Sequence, residues 1–396
     1  MSTASRESTY HGGAFFSAIG EEFDALDRAD TVISADVLDA WFPPSPRVLE
    51  TIRDHLPFLV RTSPPTSAAG LLRTIARVRQ IPEECVLMGG GSSDLIFLAL
   101  TRWLTTESRV LILDPMYGEY THVLENVIKC RVDRLMLARS DDYTLHPKRL
   151  LDVDAAAYDL IILVNPNSPT GQYVEREHLA PVVANLARST RIWIDETYIE
   201  FADEDGSLED LASLEDNVVV CKSLSKIYGL SGVRVGYLVS SRGTIAELRP
   251  FSPPWAVGLI GQLAAVHALN DPGYYRARWM ETHRLRAQLT GELCRLGIDV
   301  VPSVANFLLC HLPANGPDAS AVVTRARTHD LYLRELGDMG TGLGRHAFRI
   351  AVKDAAANSR MAAILKFVLS GAPESVGASG VLSAFPSAHD SVMAGS

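Results

Sequence analysis

Lys226 stands in the run KSLSKIYGLSGVRVGY (222–237), flanked by Ser223 and Ser225, with Arg234 eight residues on. A lysine set among apolar and hydroxyl side chains is a candidate for lowered basicity and Schiff-base chemistry. The plainer reading is a salt-bridged loop lysine, since lysine is almost never fully buried without a partner. Gly89 to Asp94 read GGGSSD, where glycines open the backbone to an anion and a following helix N-terminus favours negative charge. A tight turn with a cap at Ser92 or Ser93 is the alternative. In DPMYGEY (114–120), Tyr117 is placed to stack on a planar ligand or simply to pack. NPNSPTG (165–171), which holds Ser168, makes a rigid polar turn. In DETY (195–198), Asp195 follows an apolar run, where an acid is costly to bury unpaired.

These stretches gain meaning from what precedes them. Strands are expected at 85–88, 109–113, 158–164, 190–194, 217–222 and 234–239, mostly short, β-branched and apolar on both faces. Helical patterns lie between them at 93–104, 119–129, 175–188 and 241–248. Strand and helix in alternation imply a mostly parallel α/β sheet flanked by helices, with ligands beyond the carboxyl ends of its strands. Five strand ends then deliver an anion cradle, a stacking ring, a buried acid, hydroxyls with an arginine, and a lysine. Pyridoxal 5′-phosphate (PLP) needs this set: the cradle takes its phosphate, the acid its ring nitrogen and the lysine its aldehyde.

After about residue 260 the texture changes. One long helical stretch over 256–296 is followed by strands at 298–301, 306–311, 331–334 and 346–351 and a helix over 354–369, a smaller α+β unit. The expected divisions are an N-terminal arm (1–45), a large PLP-binding domain (46–255), a small C-terminal domain (256–370) and a disordered tail (371–396). PFSPP (250–254) marks the junction. Residues 1–12 are polar and expected to be loose.

Composition excludes whole classes. The 396 residues are 47% apolar and carry a net charge of −10, without a Lys/Arg run, which argues against a nucleic-acid binder. No apolar run reaches the roughly 18–20 residues that span a bilayer, and MSTASRESTYHGG lacks the build of a signal peptide. The five cysteines are odd in number and far apart, which points to reduced, buried thiols in a cytoplasmic protein. No CxxC or HExxH spacing points to a metal. GLSGVRVG (229–236) is not GxGxxG, so a dehydrogenase reading fails. Only six of the 37 basic residues are lysines, and between Lys148 and Lys353 only Lys222 and Lys226 occur, so Lys222 is the single nearby rival for the Schiff base.

NPNSPTG, IDETYIEF (194–201) and SLSKIYGLSGVRVGY (223–237), in this order and spacing, resemble fold-type I PLP-dependent enzymes of the class I/II aminotransferase group. Histidinol-phosphate aminotransferases and threonine-phosphate decarboxylases are the nearest in look, over about residues 30–369. The resemblance implies a large and a small domain and a homodimer. It implies that Lys226 attaches the cofactor and moves the α-proton, that Asp195 pairs with the pyridine nitrogen, that Tyr198 hydrogen-bonds the phenolic oxygen and that Tyr117 stacks on the ring. It also implies that Ser92, Ser93, Ser223, Ser225 and Arg234 hold the phosphate. Arg349, in HAFRIAVKD, matches the arginine that forks onto a substrate carboxylate. Arg334, in LYLRELGD, matches a second anion-binding arginine, and Asn306, in SVANFLL, an asparagine near the site.

The sequence also departs from that pattern. Ser168 replaces the asparagine before PTG that donates to the phenolic oxygen. LDAWFPPSP (38–46) replaces a segment reading roughly NENPxGPSP. RTSPP (61–65) lacks the tyrosine that reaches the neighbouring subunit's phosphate, and Gly258 in PPWAVG stands where an asparagine is usual. The cofactor side is largely kept and the substrate side rewritten. The expected function is a PLP-dependent aminotransferase of an α-amino acid or amino phosphate. The alternatives are a non-transaminating PLP enzyme of specialised metabolism (a decarboxylase, or β/γ-elimination, replacement or cyclisation, S-adenosylmethionine included) and a non-catalytic binding protein on this scaffold.

Overall fold

The computed structural model describes residues 12–337 and 339–371; the expected loose N-terminus and disordered tail otherwise lie outside the described residues. A short strand, β1 (Ile33–Ser34), precedes seven strands of one sheet: β2 (Val86–Gly89), β3 (Arg109–Asp114), β4 (Arg131–Met136), β5 (Leu160–Val164), β6 (Arg191–Asp195), β7 (Val218–Ser223) and β8 (Gly236–Val239). Their order is β2-β8-β7-β6-β5-β3-β4. Pairings between β3 and β4, β3 and β5, β5 and β6, and β6 and β7 are parallel; β8 runs antiparallel to both β2 and β7.

The central strands are apolar on both faces because helices cover both. Leu160–Val164 is buried throughout, as are Val218–Val220. The edge strand β4 is not among the strands expected from the sequence. RVDRLM mixes charged and apolar side chains and is only partly buried, so it lacks the continuous apolar run of its neighbours. Charge on an outer strand also discourages edge-to-edge pairing. Helices Ser92–Trp103, Arg176–Leu186 and Arg242–Leu248 fall where the helical periodicity predicts them. The segment after Gly118 starts as an α-helix (Gly118–His122) and continues as a π-helical turn (Val123–Ile128).

A second, antiparallel sheet is built from β9 (Asp299–Val300), β10 (Phe307–His311), β12 (Arg334–Glu335) and β13 (Ala347–Ala351), in the order β12-β13-β10-β9. Between β10 and β12, β11 (Leu331–Tyr332) pairs instead with β1 in parallel, so the expected strand 331–334 is two strands parted at Leu333. The expected long helix 256–296 is also two: Leu259–Leu269 and Pro272–Arg295, with Pro272 opening the second. Proline fits a first helical turn and not an interior. The helix Leu259–Leu269 packs on helices Pro46–Arg61 and Ala69–Arg79. Four cysteines are buried and unpaired as expected, but Cys294 is exposed. Among the described residues no helix is long and apolar enough to cross a membrane.

Candidate active site

At the carboxyl ends of β2, β5, β6 and β7 lies a cavity of about 270 Å³. The phosphate-cradle candidates Ser92, Ser93, Ser223, Ser225 and Arg234 line it, as do Tyr117, Ser168, Asp195, Tyr198, Lys226 and Arg349. Most of these residues converge because each parallel strand releases its loop at the same sheet edge; Arg349 comes from β13 of the second sheet.

The cradle is built tightly. Gly91 has φ +98°, and a Cβ there would sit 2.6 Å from Nη2 of Arg234. A Cβ on Gly236 would sit 2.7 Å from the Gly91 carbonyl carbon. Only glycine permits this approach of β8 and the helix start Ser92–Trp103, whose N-terminus opens into the cavity. Arg234 itself takes φ +53° and donates to the Ser231 carbonyl at 2.9 Å and the Ser225 hydroxyl at 3.4 Å.

Asp195 is buried and fully engaged. Oδ2 accepts from the Tyr120 hydroxyl at 2.8 Å; Oδ1 accepts from the Thr197 hydroxyl and amide at 2.6 and 3.0 Å. Trp193 Nε1 donates in turn to the Tyr120 oxygen at 2.7 Å. Burial pushes the Asp195 carboxyl above its ordinary range, with these donors opposing. A cationic ring N–H arriving here would relieve that cost, as a buried carboxylate requires. The Tyr117 hydroxyl donates to Glu119 at 2.6 Å, which fixes the ring. Tyr198 packs edge-on against Phe307 at 5.2 Å between centroids, and burial raises its hydroxyl pKa strongly.

Lys226 is 19% exposed at its side chain, and its Nζ lies 2.7 Å from Asp39 Oδ1. Burial lowers its amine pKa; Asp39 opposes this, and Arg234 and Arg349 add to it. Its rival, Lys222, is fully buried on the opposite face of the sheet, with Nζ 3.0 Å from Glu200 and 3.6 Å from Glu196. Alternation along β7 decides this: Ser223 points into the cavity and Lys222 away from it. Lys226 is thus the lysine that lines the cavity among the described residues.

Arg349, on β13, is buried. It donates through Nη1 to the Ser168 hydroxyl and through Nη2 to the Asp36 carbonyl, both at 3.3 Å. Its Nε is buried without a hydrogen-bond partner. Burial lowers its pKa to about 10, against the pull of Tyr198. A buried guanidinium on the cavity lining suits an incoming anion.

Two expected residues stand outside. Asn306 is buried behind the wall, where Nδ2 donates to the Leu38 carbonyl at 2.9 Å. Arg334 pairs across from Arg349 in β12–β13 register and does not line the cavity. Conversely, Asp36, Asp39, Tyr120 and Thr197 belong to the site without being expected from the sequence. Tyr120 and Thr197 lie inside the motifs DPMYGEY and DETY; Asp36 lies in no motif, and Asp39 lies in LDAWFPPSP, singled out only for its departure from the family pattern.

The residues fit PLP: a glycine-only cradle beside an arginine, a buried acid awaiting a cation, and one lysine. Comparison with known proteins agrees. Residues 43–365 match the family model of class I and II aminotransferases. The chain is 28% identical over 347 residues to a histidinol-phosphate aminotransferase of Paramagnetospirillum magneticum, covering 86% of this chain and 93% of that protein. It is 30% identical over 307 residues to a threonine-phosphate decarboxylase of Salmonella typhimurium, covering 76% and 81%. A solved structure, histidinol-phosphate aminotransferase from Sinorhizobium meliloti in complex with pyridoxal 5′-phosphate, shares the fold with a TM-score of 0.76 at 23% identity, covering 84% and 89%.

Proposed function

The chain belongs to the class I and II aminotransferase family, and from that premise we propose that it is a PLP-dependent aminotransferase of an α-amino acid or an amino phosphate. The observation that carries this reading is one cavity holding Lys226, Asp195, the glycine-only cradle and Arg349 with its idle Nε. When bound, PLP supplies an aldehyde for amine exchange and a ring that withdraws electrons from the substrate. The amides of Ser92 and Ser93, the hydroxyls of Ser223 and Ser225, and Arg234 would hold its phosphate. Tyr117 would stack on the ring, and Asp195, oriented by Tyr120 and Thr197, would hold a proton on the ring nitrogen. Tyr198 donates to the phenolic oxygen. Lys226 would attach the cofactor and, when freed, would serve as the base that moves the substrate's α-proton; its lowered basicity suits a general base. Arg349 forks onto the substrate anion, with Ser168 and the Asp36 carbonyl holding the guanidinium.

The protein is proposed to act as a homodimer in the cytoplasm. Helix Pro46–Arg61 exposes Leu56, Phe58 and Val60, and Trp255 is exposed where residues 253–258 come up against the cradle. Leu56 and Val60, one helical turn apart, share a face of that helix, and exposed apolar side chains so paired suit an interaction surface.

A second reading, decarboxylation, is favoured by the 30% identity to a threonine-phosphate decarboxylase. One half-reaction separates the two. Amino donor alone, without acceptor, should convert the bound cofactor to its amine form with one equivalent of keto product per subunit. Release of carbon dioxide with the cofactor spectrum unchanged at the end point favours the second reading.

A further inference from the structure

Asp39 reaches Lys226 from 187 positions earlier in the chain, and its backbone is clamped on both sides. On one side Asn306 Nδ2 donates to the Leu38 carbonyl at 2.9 Å. On the other, Trp41 Nε1 donates to the Thr282 hydroxyl at 2.8 Å, and the Tyr274 hydroxyl to the Pro43 carbonyl at 2.9 Å. The Ser45 amide donates to the Tyr275 hydroxyl at 3.0 Å, and a Cβ on Gly229 would meet the Phe42 carbonyl oxygen at 3.1 Å. The carboxylate is thereby presented to the amine by fixed backbone. The buried Asn306, which does not reach the cavity, thus holds the residue next to Asp39.

We propose that Asp39 is the positioning residue of Lys226, holding the proton of its ammonium form and setting the pH at which the amine becomes neutral. The proposal rests on Lys226 being the cofactor-attaching lysine. The charged groups around the pair are few. Arg234 and Arg349 act on Lys226 as like charges, Lys353 acts on both partners from the end of β13, and Asp36 acts on Lys353. Burial and three cations thus drive Lys226 toward neutrality, and the Asp39 carboxylate opposes them. Although burial pushes the Asp39 carboxyl up, Lys226 beside it holds it below the ordinary carboxylate range, so it stays an anion. A lysine that must shed a proton to attack and accept one from substrate works best between these limits. Asp39 acts in the second half of that cycle, making the protonated amine less costly where Arg234 and Arg349 alone would expel it.

The test uses apoenzyme mixed with PLP, with covalent attachment followed by absorbance against pH. The neutral Nζ attacks the aldehyde carbon, a carbon–nitrogen double bond forms and one water leaves; the ammonium form has no lone pair for this. The midpoint of the rate profile therefore reports the Lys226 amine. Asp39→Asn should move the midpoint to lower pH by about one unit, the low end for an opposite charge at contact because the Asp39 side chain is 41% exposed. Asp39→Ser should shift it likewise, and Asp39→Glu should stay near the wild-type midpoint. An unchanged midpoint in Asp39→Asn and Asp39→Ser, with wild-type circular dichroism, overturns the proposal. Mass spectrometry of the reduced wild-type adduct keeps the two failures apart: attachment away from Lys226 sinks the functional reading, whatever the midpoint does.

Discussion

Arg349 lines the cavity with its two terminal nitrogens steadied by Ser168 and the Asp36 carbonyl at 3.3 Å, and a planar fork is what it would offer a substrate anion. Arg349→Lys keeps the charge and loses the fork. Charge-assisted hydrogen bonds are worth about 1.5–3 kcal/mol, so KM for the amino donor should rise about tenfold or more in steady-state assays, with kcat changing less. A second residue-scale prediction concerns Glu196, on the far face of the sheet from Asp195. Burial pushes its carboxyl up to about 7 from 4.5, with Lys222 opposing and Glu209 adding. In that window the native state keeps a proton that the unfolded chain has shed, so stability falls as pH rises through it and then levels off. Glu196→Gln cannot titrate. Urea unfolding at about pH 5 and pH 8 should show a smaller pH-dependent loss in the variant than in wild type. Motif residues such as Asp195 and Arg234 are legible in the sequence because each follows a strand whose end must face the crevice. Asp39 is not: it pairs with Lys226 across 187 positions, from a segment, LDAWFPPSP, that departs from the family pattern.

The cradle belongs to the elements, since β8, the start of helix Ser92–Trp103 and Arg234 meet only where Gly91 and Gly236 have no side chain. Gly91→Ala would strain a left-handed backbone and push Arg234 out of the cavity. Losing one guanidinium contact, about 1.5–3 kcal/mol, should weaken cofactor binding at least about tenfold, read as faster PLP loss on dialysis, while the chain stays folded. Elements are legible where periodicity is strong. The buried strands β5, β6 and β7 announce themselves as continuous apolar runs. β4 does not, because an edge strand answers to solvent on one side, and the antiparallel setting of β8 is decided by pairing that no single stretch encodes. The break at Asp271–Pro272 carries a proline signal that the helix-favouring residues on either side obscure.

At the scale of the whole molecule, Val60 is 69% exposed and Leu56 45%, one turn apart on a face of helix Pro46–Arg61. If that face pairs with a second copy, Leu56→Asp with Val60→Asp should halve the mass seen by sedimentation and lower cofactor occupancy together. A mass unchanged by both substitutions would remove this face from the interface. The two-sheet plan and the family are legible from the order and spacing of three motifs; substrate identity is not, because the segments around Asp36, Asp39 and Ser168 depart from the family pattern. Every role assigned to the cavity depends on which amine takes the cofactor. Borohydride reduction of the holoenzyme, digestion and peptide mass spectrometry should place the reduced cofactor on the peptide modified at Lys226. Its appearance on Lys222 or any other lysine, or on none, would contradict that assignment.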